Sequence, residues 1–290
     1  MVEGWRLPDG MARSPAGRED RAALWCCVTG ERPRKTQRLM EAIARGWGER
    51  TARIVVDYPP NDYEPFILWG HLWHAEKLIP AAIKSGRPWW FIDNGWFMPA
   101  KGEALGYYRI TYRGLAPVYM ADPPDMQRNQ TNMLDWREKA ARGHILLALP
   151  GDGFGKPFGF DLRAWAVETL RELSRVTDRP VLIREKGCPR PLRNDFAGAW
   201  AVVTHSSAVG VEAVLHGLPV FVHPWSAAAP VGNLSLANIE APAMPDNRRI
   251  WWQSLMCQQF TIPEMAAGLA FRYLAMVREQ WERENNVVHL

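Results

Sequence analysis

Short apolar runs that end in glycine, proline or polar residues recur along the first 118 residues of the chain. Three of them lie at 23–30, 52–60 and 88–97, and an amphipathic pattern typical of a helix follows the first at 35–47. Strands that alternate with helices predict a parallel sheet that is covered on both faces. An alternating run at 107–115 predicts one further strand of this sheet.

A second series of the same kind begins after residue 143. Its predicted strands and helices lie at 143–150, 162–175, 179–187, 199–205, 209–216 and 218–224, and one long helix is predicted at 263–285. The fold class is therefore predicted as α/β, with two Rossmann-like domains whose parallel sheets face a central cleft. The predicted parts are a loose leader at 1–20, a first domain at 21–118, a junction at 119–143, a second domain at 144–260 and a C-terminal helix at 261–290 that crosses back.

Composition narrows the class of protein. The 290 residues are 47% hydrophobic and 23% charged, as in ordinary soluble globular proteins, and the sequence has no apolar run long enough for a membrane span. The first 20 residues lack the apolar core of a signal peptide, so the expected location is the cytoplasm, and a monomer is expected. Four cysteines show no metal-ligand spacing, and we expect no metal fixed by the protein.

Polar residues of the second series gather where its predicted strands end. Glycines and hydroxyls at such ends let backbone N–H groups meet an anion, and cations complement it. A carboxylate farther along the helix suits ribose hydroxyls. These residues predict a nucleotide-sugar site: Gly151, Gly153, Arg184, Lys186, His205, Ser206, Ser207 and Glu212.

Each of these residues also has an ordinary structural interpretation. A serine before a helix is a favoured N-cap, and capping is compatible with phosphate binding because both use the same N–H groups. Glu212 would be an ordinary exposed acid, although the helix around it is too apolar for a freely solvated one. The irregular stretch at 238–255 would line the same site, with Glu240 and Arg248 or Arg249 as contacts.

The first series offers a base and a basic loop. Asp93 ends the strand "WWFI" and is the candidate general base, with Asp57 in reserve; the alternative is that Asp-Asn-Gly simply forms a turn. The loop after the first strand is cationic, which is ordinary for a solvated loop. In a DNA-modifying enzyme such a loop would hold the phosphate backbone, and a tryptophan near it would wedge into the duplex beside an extruded base. The predicted acceptor-side residues are Arg32, Arg34, Lys35, Arg38 and Trp96.

The segment "THSSAVGVEAVLHGLPVFV" resembles the donor site of GT-B glycosyltransferases, in which a Ser-Ser or Gly-Gly turn precedes an acid and a "GxPV" strand. The chain is most similar to phage-encoded glycosyltransferase-like proteins associated with DNA base hypermodification. "FIDNGWF", "YYRITYRG", "RPVLIREKG" and "QQFTIPEMAAGLAF" carry that likeness, which covers about residues 89–274.

The resemblance implies a GT-B enzyme that transfers a hexose, glucose first among them, from a UDP-sugar to 5-hydroxymethylcytosine in double-stranded DNA. No tightly bound cofactor is implied, and the location would be the host cytoplasm if the protein is phage-encoded. Bacterial capsule relatives carry an Arg-Pro-His-Pro-like turn where this chain has Arg184-Glu185-Lys186, which favours UDP over CMP. Two alternatives stay open: a transferase acting on a surface polysaccharide, and a non-catalytic nucleotide- or DNA-binding protein of this fold.

Overall fold

The computed structural model describes residues 23–28, 33–48, 52–70, 75–99, 106–124, 133–137, 143–151 and 153–285, with residues 33–35 described by their backbone alone. The chain divides into two compact units, the first formed by residues 1–128 and 252–290 and the second by residues 129–251. Each unit is an α/β structure with its own sheet, as the sequence predicts.

Strands and helices follow one another through most of the described chain. The strands are β1 (Leu24–Val28), β2 (Ala52–Val56), β3 (Phe66–Trp69), β4 (Trp89–Asn94), β5 (Tyr108–Tyr112), β6 (His144–Ala148), β7 (Val181–Arg184), β8 (Ala199–Thr204), β9 (Val220–Val222) and β10 (Gln259–Phe260). The helices are α1 (Pro33–Trp47), α2 (Ala75–Ser85), α3 (Leu162–Val176), α4 (Leu192–Ala197), α5 (Ala208–Leu215), α6 (Arg248–Cys257), α7 (Ile262–Ala266) and α8 (Leu269–Glu284).

The sheet of the first unit has the strand order β10-β5-β4-β3-β1-β2. β1 to β4 pair in parallel, as the alternation of strands and helices predicts. β5 runs antiparallel to β4, and β10 runs antiparallel to β5, which the sequence pattern did not predict. Gly95 donates its N–H to the carbonyl of Tyr107 at 2.8 Å, and this contact fastens the returning chain beside the end of β4.

The C-terminal segment completes the core of the first unit. Thr261 caps α7 in a capping box with Glu264. The single helix predicted at 263–285 is wrong, because Gly268 adopts a left-handed conformation (φ 77°) and separates α7 from α8. Phe271 and Leu274 of α8 are buried in the same apolar cluster as β1 and α1, so the last helix does cross back to the first unit.

The sheet of the second unit is parallel throughout, with the order β7-β6-β8-β9. β6 and β8 are its central strands and read as continuous apolar runs, as expected for strands buried on both faces. Their side chains pack with Leu173 of α3 in one buried cluster. This arrangement places the ends of all four strands at a common edge.

Candidate functional site

The carboxyl ends of the strands in the second unit are held in register. Ala148 of β6 pairs with Arg184 of β7, and Thr204 of β8 pairs with Val222 of β9. The Thr204 hydroxyl donates to the carbonyl of Ala148 at 2.7 Å, which ties the end of β8 to the end of β6. The loops that carry the predicted phosphate-binding residues therefore begin side by side.

Gly151 and Lys186 come from two of these loops and lie in direct contact. A Cβ on Gly151 would lie 2.8 Å from Cδ and 3.3 Å from Nζ of Lys186. The glycine is therefore required for the lysine to cross it so closely. Among the described residues, no hydrogen bond or ion pair engages the exposed Lys186 ammonium. This cation is available to an anionic ligand at the strand ends.

Arg184 is committed to the protein itself. Its guanidinium donates to the carboxylate of Asp195 and to the carbonyl of Arg190, the latter at 2.9 Å. Asp195 is buried, and its other oxygen accepts from Arg190 Nε at 2.5 Å. The sequence analysis predicted that both Arg184 and Lys186 bind phosphate. In the structure Arg184 pairs with Asp195 instead, and this ion pair holds the loop that contains Lys186.

The third loop starts α5. Ser207 is the N-cap, and its hydroxyl accepts from the N–H of Val209 at 3.3 Å. Ser206 is buried, with its Oγ 3.1 Å from Nδ1 of His205. The positive end of the α5 dipole reinforces this position as a place for an anion.

Two other predicted donor contacts lie at the surface. Glu212 is exposed on α5, although the helix around it is largely apolar. Gly153 is exposed in the turn that follows Gly151, a turn closed by the N–H of Phe154 donating to the Gly151 carbonyl at 3.0 Å.

A group of rings that the sequence analysis left largely unused stands at the same edge, and we call it the histidine–aromatic cluster. The imidazoles of His205 and His223 stack with centroids 4.2 Å apart and planes 11° from parallel. Phe160 packs 4.6 Å from His205 and 5.2 Å from Trp225. Trp165 meets His205 edge-on at 5.4 Å. The available signal was the density of aromatic residues in the loops after two strands, "GKPFGF" and "VHPW".

Both histidines of this cluster are held neutral. Burial lowers the pKa of His205 to about 4, and the neighbouring His223 contributes to the same shift. Burial also lowers the pKa of His223. His223 Nδ1 accepts the N–H of Trp225 at 3.2 Å, which leaves the proton of the neutral ring on Nε2. The cluster is thus an uncharged group of packed rings at the same edge of the sheet as the loop that carries the cationic Lys186.

Asp93, the candidate base, ends β4 in the first unit. It faces Arg109 across the strands, and Arg109 Nη2 donates to Asp93 Oδ2 at 2.7 Å. The N–H of Asn94 donates to Oδ1 at 2.7 Å. The carboxylate is 23% exposed while the Arg109 side chain is 8% exposed. Two donors therefore fix the carboxylate, and its remaining lone pairs are free to accept a proton.

The turn after Asp93 is braced from the C-terminal segment. Gln259 of β10 is fully buried, and its side-chain oxygen accepts the N–H groups of Trp96 and Phe97 at 3.0 and 3.3 Å. Gly95 is required here, because a Cβ would lie 2.9 Å from the Tyr107 carbonyl oxygen. Trp96 is 6% exposed, with its ring 5.2 Å from the guanidinium carbon of Arg109. A buried indole does not fit the predicted role of a wedge in a DNA duplex.

The predicted basic surface is only partly described. Arg38 is exposed on α1 and near enough to lower the pKa of Tyr108, although burial raises that pKa overall. Arg34 and Lys35 lie in the first turn of α1 with side chains outside the description, and Arg32 lies outside the described residues altogether. Asp57, the reserve base, follows β2, which is three strands from β4 and so roughly 14 Å away.

Residues of the irregular stretch at 238–255 were predicted to line the nucleotide-sugar site, but Glu240 and Arg248 do not lie there. Glu240 pairs with Arg179, at the start of β7 and so at the opposite edge of the sheet from Lys186. Arg248 is buried; it donates to the carbonyls of Leu134 and Val214 and lies 3.9 Å over the ring of Trp136. Arg249 is exposed. Glu240 and Arg248 are structural contacts of the second unit.

Metal-binding clusters and membrane-spanning helices are both absent from the residues that the structure describes. No group of three or more histidine, cysteine or carboxylate side chains is placed to hold a metal ion within the described ranges. None of the helices described is both long and apolar enough to span a membrane.

Comparison with known proteins gives a likeness of structure and none of sequence. No family model and no curated protein matches the sequence. Among solved structures the chain is similar to KpsC of Thermosulfurimonas dismutans, a beta Kdo 2,7 transferase. The match has 9% identity and a TM-score of 0.41 and covers 86% of this chain and 99% of that chain. The interpretation of the site therefore depends on the geometry within each unit.

Proposed function

We propose that the protein is a GT-B glycosyltransferase that moves a hexose from a UDP-sugar to an alcohol. The observation that carries the proposal is the Lys186 ammonium lying across Gly151, at the edge of a parallel sheet where α5 also starts; none of the residues that the structure describes pairs with this ammonium. Cation, glycine and helix N-terminus together are the chemistry that binds a diphosphate.

In this proposal the second unit binds the donor. Lys186 and the N-terminal turn of α5 neutralise the diphosphate as it leaves, which is where charge develops in the transition state. Ser206 donates its hydroxyl to the same group. Glu212 is assigned to the ribose, and its exposure on α5 leaves it accessible.

The first unit supplies the base. The bond between the anomeric carbon and the diphosphate oxygen breaks while the alcohol oxygen bonds to that carbon. The alcohol proton passes to Asp93, and UDP leaves with the electron pair of the broken bond. Arg109 and the Asn94 N–H orient the carboxylate for this step.

Binding of UDP tests the donor assignment. Lys186→Met should weaken UDP binding about tenfold or more, as expected for a lost charge-assisted hydrogen bond. Lys156→Met is the matched control, because Lys156 is an exposed lysine in the loop that follows Gly151. Equal UDP affinity of the two variants in calorimetric titration would contradict the donor site.

Transfer tests the enzyme assignment. Asp93→Asn should abolish transfer from UDP-glucose while UDP binding persists; loss of both, or of neither, rejects Asp93 as base. A protein that binds UDP but never transfers a hexose to any alcohol is the non-catalytic alternative.

Two acceptors are candidates. 5-Hydroxymethylcytosine in DNA is proposed from the resemblance and from cations such as Arg38. A glycan hydroxyl is the second candidate, favoured by the burial of Trp96 and by the charge compensation of Arg109 by Asp93. Incubation with UDP-glucose and hydroxymethylated DNA, followed by digestion and mass measurement of the nucleosides, separates them: an unchanged mass excludes the DNA acceptor for this donor.

A further inference from the structure

The sheet of the first unit ends in an exposed strand. β2 is the last strand in the sheet order, and among the described strands it pairs with β1 alone. Ile54 and Val56 lie on the same face of β2 and are 44% and 63% exposed. An apolar strand at a sheet edge is a template for pairing with another strand, and proteins commonly shorten, charge or cover such edges.

The backbone of β2 has hydrogen-bonding groups that face away from the sheet. The N–H of Asp57 donates to the Val28 carbonyl of β1 at 2.9 Å. Peptide groups alternate in direction along a strand, so those of Ile54 and Val56 point to the outer side. The Val56 carbonyl accepts the N–H of Tyr58 at 2.8 Å. The N–H groups of Ile54 and Val56 and the Ile54 carbonyl have no partner among the described residues.

The other edges of the two sheets are less open. Both residues of β10 are buried. Along β9 the Asn233 backbone accepts from the N–H of Val222 at 2.9 Å and donates to the carbonyl of Val220 at 2.8 Å, which covers that edge. β7 has one exposed apolar side chain, Ile183, and its other residues are half-buried. The described edge with the most exposed apolar surface is therefore β2.

The sequence of β2 is complementary to itself in the antiparallel direction. A two-fold axis through Val55 sets Ile54 of each copy opposite Val56 of the other, so that the outward-facing peptide groups meet as hydrogen-bonded pairs. The same axis sets Arg53 opposite Asp57, the acid that follows the strand. Apolar pairs and opposite charges are both favourable across strands. An axis through Ile54 would instead set Arg53 opposite Val55 and lose the charge pairing.

We propose that β2 is a dimerisation edge, at which two copies of this chain join their first-unit sheets by antiparallel pairing of β2. A dimer thus replaces the expected monomer. A strand of 5 residues buries little surface, so the dimer should be reversible and should depend on concentration. The inference concerns a surface apart from the proposed donor site and does not depend on the proposed function.

Sedimentation equilibrium of the whole chain at several concentrations tests the association. The average mass should rise from 33.0 kDa toward twice that value as the concentration increases. Val56→Lys should weaken the dimer about tenfold or more, because the two-fold axis repeats the lost apolar pair and brings two added cations to one contact. Val167→Lys is the matched control, since Val167 is 47% exposed but lies on α3 in the second unit.

Disulfide cross-linking tests the register. Val55→Cys should form an intermolecular disulfide on mild oxidation, because directly opposite residues of a non-hydrogen-bonded pair have Cα atoms about 4.5 Å apart, within disulfide range. Ile54→Cys should cross-link poorly, since the two copies of residue 54 lie diagonally at about 7 Å. Both variants are made on a Cys188→Ser background, because the three other native cysteines are buried.

Four results would overturn the proposal. A chain that keeps the monomer mass at every concentration forms no dimer. A dimer that Val56→Lys weakens no more than Val167→Lys does not use β2. Dissociation by Ile183→Lys alone would place the contact at β7. A disulfide formed by Ile54→Cys and not by Val55→Cys would reject the two-fold axis through Val55.

Discussion

At the scale of single residues, the contact of Gly151 with Lys186 allows the proposed role of this glycine in phosphate binding to be tested separately from a role in the turn. The nearest neighbours of a Cβ at position 151 are side-chain atoms of a flexible lysine, so the folded chain accommodates alanine by moving that lysine. The backbone needs no left-handed conformation at this residue. The effect of a substitution should therefore appear in binding and not in stability.

Gly151→Ala is expected to weaken UDP binding about three- to tenfold, because the displaced Lys186 ammonium loses its position. The free energy of unfolding should change by less than about 1 kcal/mol. Calorimetric titration and urea unfolding measure the two quantities. Gly114→Ala is the control, because a Cβ there has room and lies in the first unit; UDP binding weakened equally by both variants would refute the contact.

The neutral state of His205 predicts a pH dependence of stability. Its pKa is about 4 in the folded chain and close to 6.5 when unfolded. As pH falls, His205 therefore takes up a proton in the unfolded chain before it does so in the folded chain. The contribution of neutral His205 to the free energy of unfolding is complete above about pH 6.5 and is lost as pH falls toward 4. The full loss amounts to at most about 3 kcal/mol.

His205→Phe keeps a ring against Phe160 and His223 and removes the titrating group. Urea unfolding at several pH values between 7 and 4 should show a shallower decline for this variant than for the wild type. An identical slope in both proteins would show that His205 does not titrate as the burial of its ring requires.

The sequence predicted correctly which residues follow the strand ends of the second unit. Gly151, Lys186 and Ser206 follow three parallel strands, and parallel strands bring such positions to one edge. It missed what depends on distant partners. Arg184 is engaged by Asp195 from a separate helix, and Trp96 is buried because Gln259 arrives from β10. Neither contact produces a pattern of hydrophobic and polar residues from which it could be predicted.

At the scale of elements, the loop between β7 and α4 is held by one buried carboxylate. Asp195 accepts from both Arg184 and Arg190, at the two ends of the loop that contains Lys186. Breaking a buried ion pair on one side leaves uncompensated charge, which costs far more than the intact pair contributes. The loop and its free cation should therefore be lost together.

Asp195→Asn is expected to lower the free energy of unfolding by about 3 kcal/mol and to weaken UDP binding, because two guanidinium groups lose their counter-charge. Glu240→Gln is the matched control, since Glu240 also pairs with an arginine but is 48% exposed. Its cost should stay below about 1 kcal/mol. Comparable losses in the two variants would contradict the role of Asp195.

The pattern of elements was largely predictable, and its exceptions have identifiable causes. Alternating strands and helices predicted two parallel sheets; the second sheet is parallel throughout, and the first is parallel from β1 to β4. The antiparallel β5 depends on the contact between Gly95 and Tyr107, and the two-residue β10 is too short to show any alternation. The break before α8 occurs because Gly268 has a left-handed φ. A single glycine in an apolar stretch of sequence is not enough to predict such a break.

At the scale of the whole molecule, the first unit is assembled from both ends of the chain. Phe260, Phe271 and Leu274 share one buried cluster with β1 and α1, although more than 200 residues separate them in sequence. The second unit is one continuous segment, residues 129–251, and contains its own sheet.

A chain that ends at residue 251 should therefore lose one unit and keep the other. Hydrogen exchange is expected to show loss of protection in β1 to β5, because their core lacks β10, α7 and α8, and retained protection in β6 to β9. UDP binding should persist. Simultaneous loss of protection in both sheets would show that the second unit depends on the first.

The interleaved chain path also sets an order of events during synthesis. The second unit has all of its residues once position 251 has left the ribosome, whereas the first unit still lacks Gln259, the side chain that shapes the turn after Asp93. Translation therefore delivers the complete second unit before the first unit, which is encoded ahead of it, is able to close. The strands made first become complete only when Gln259 and the rest of the C-terminal segment have been synthesised, so this segment is the last step in the folding of the first unit.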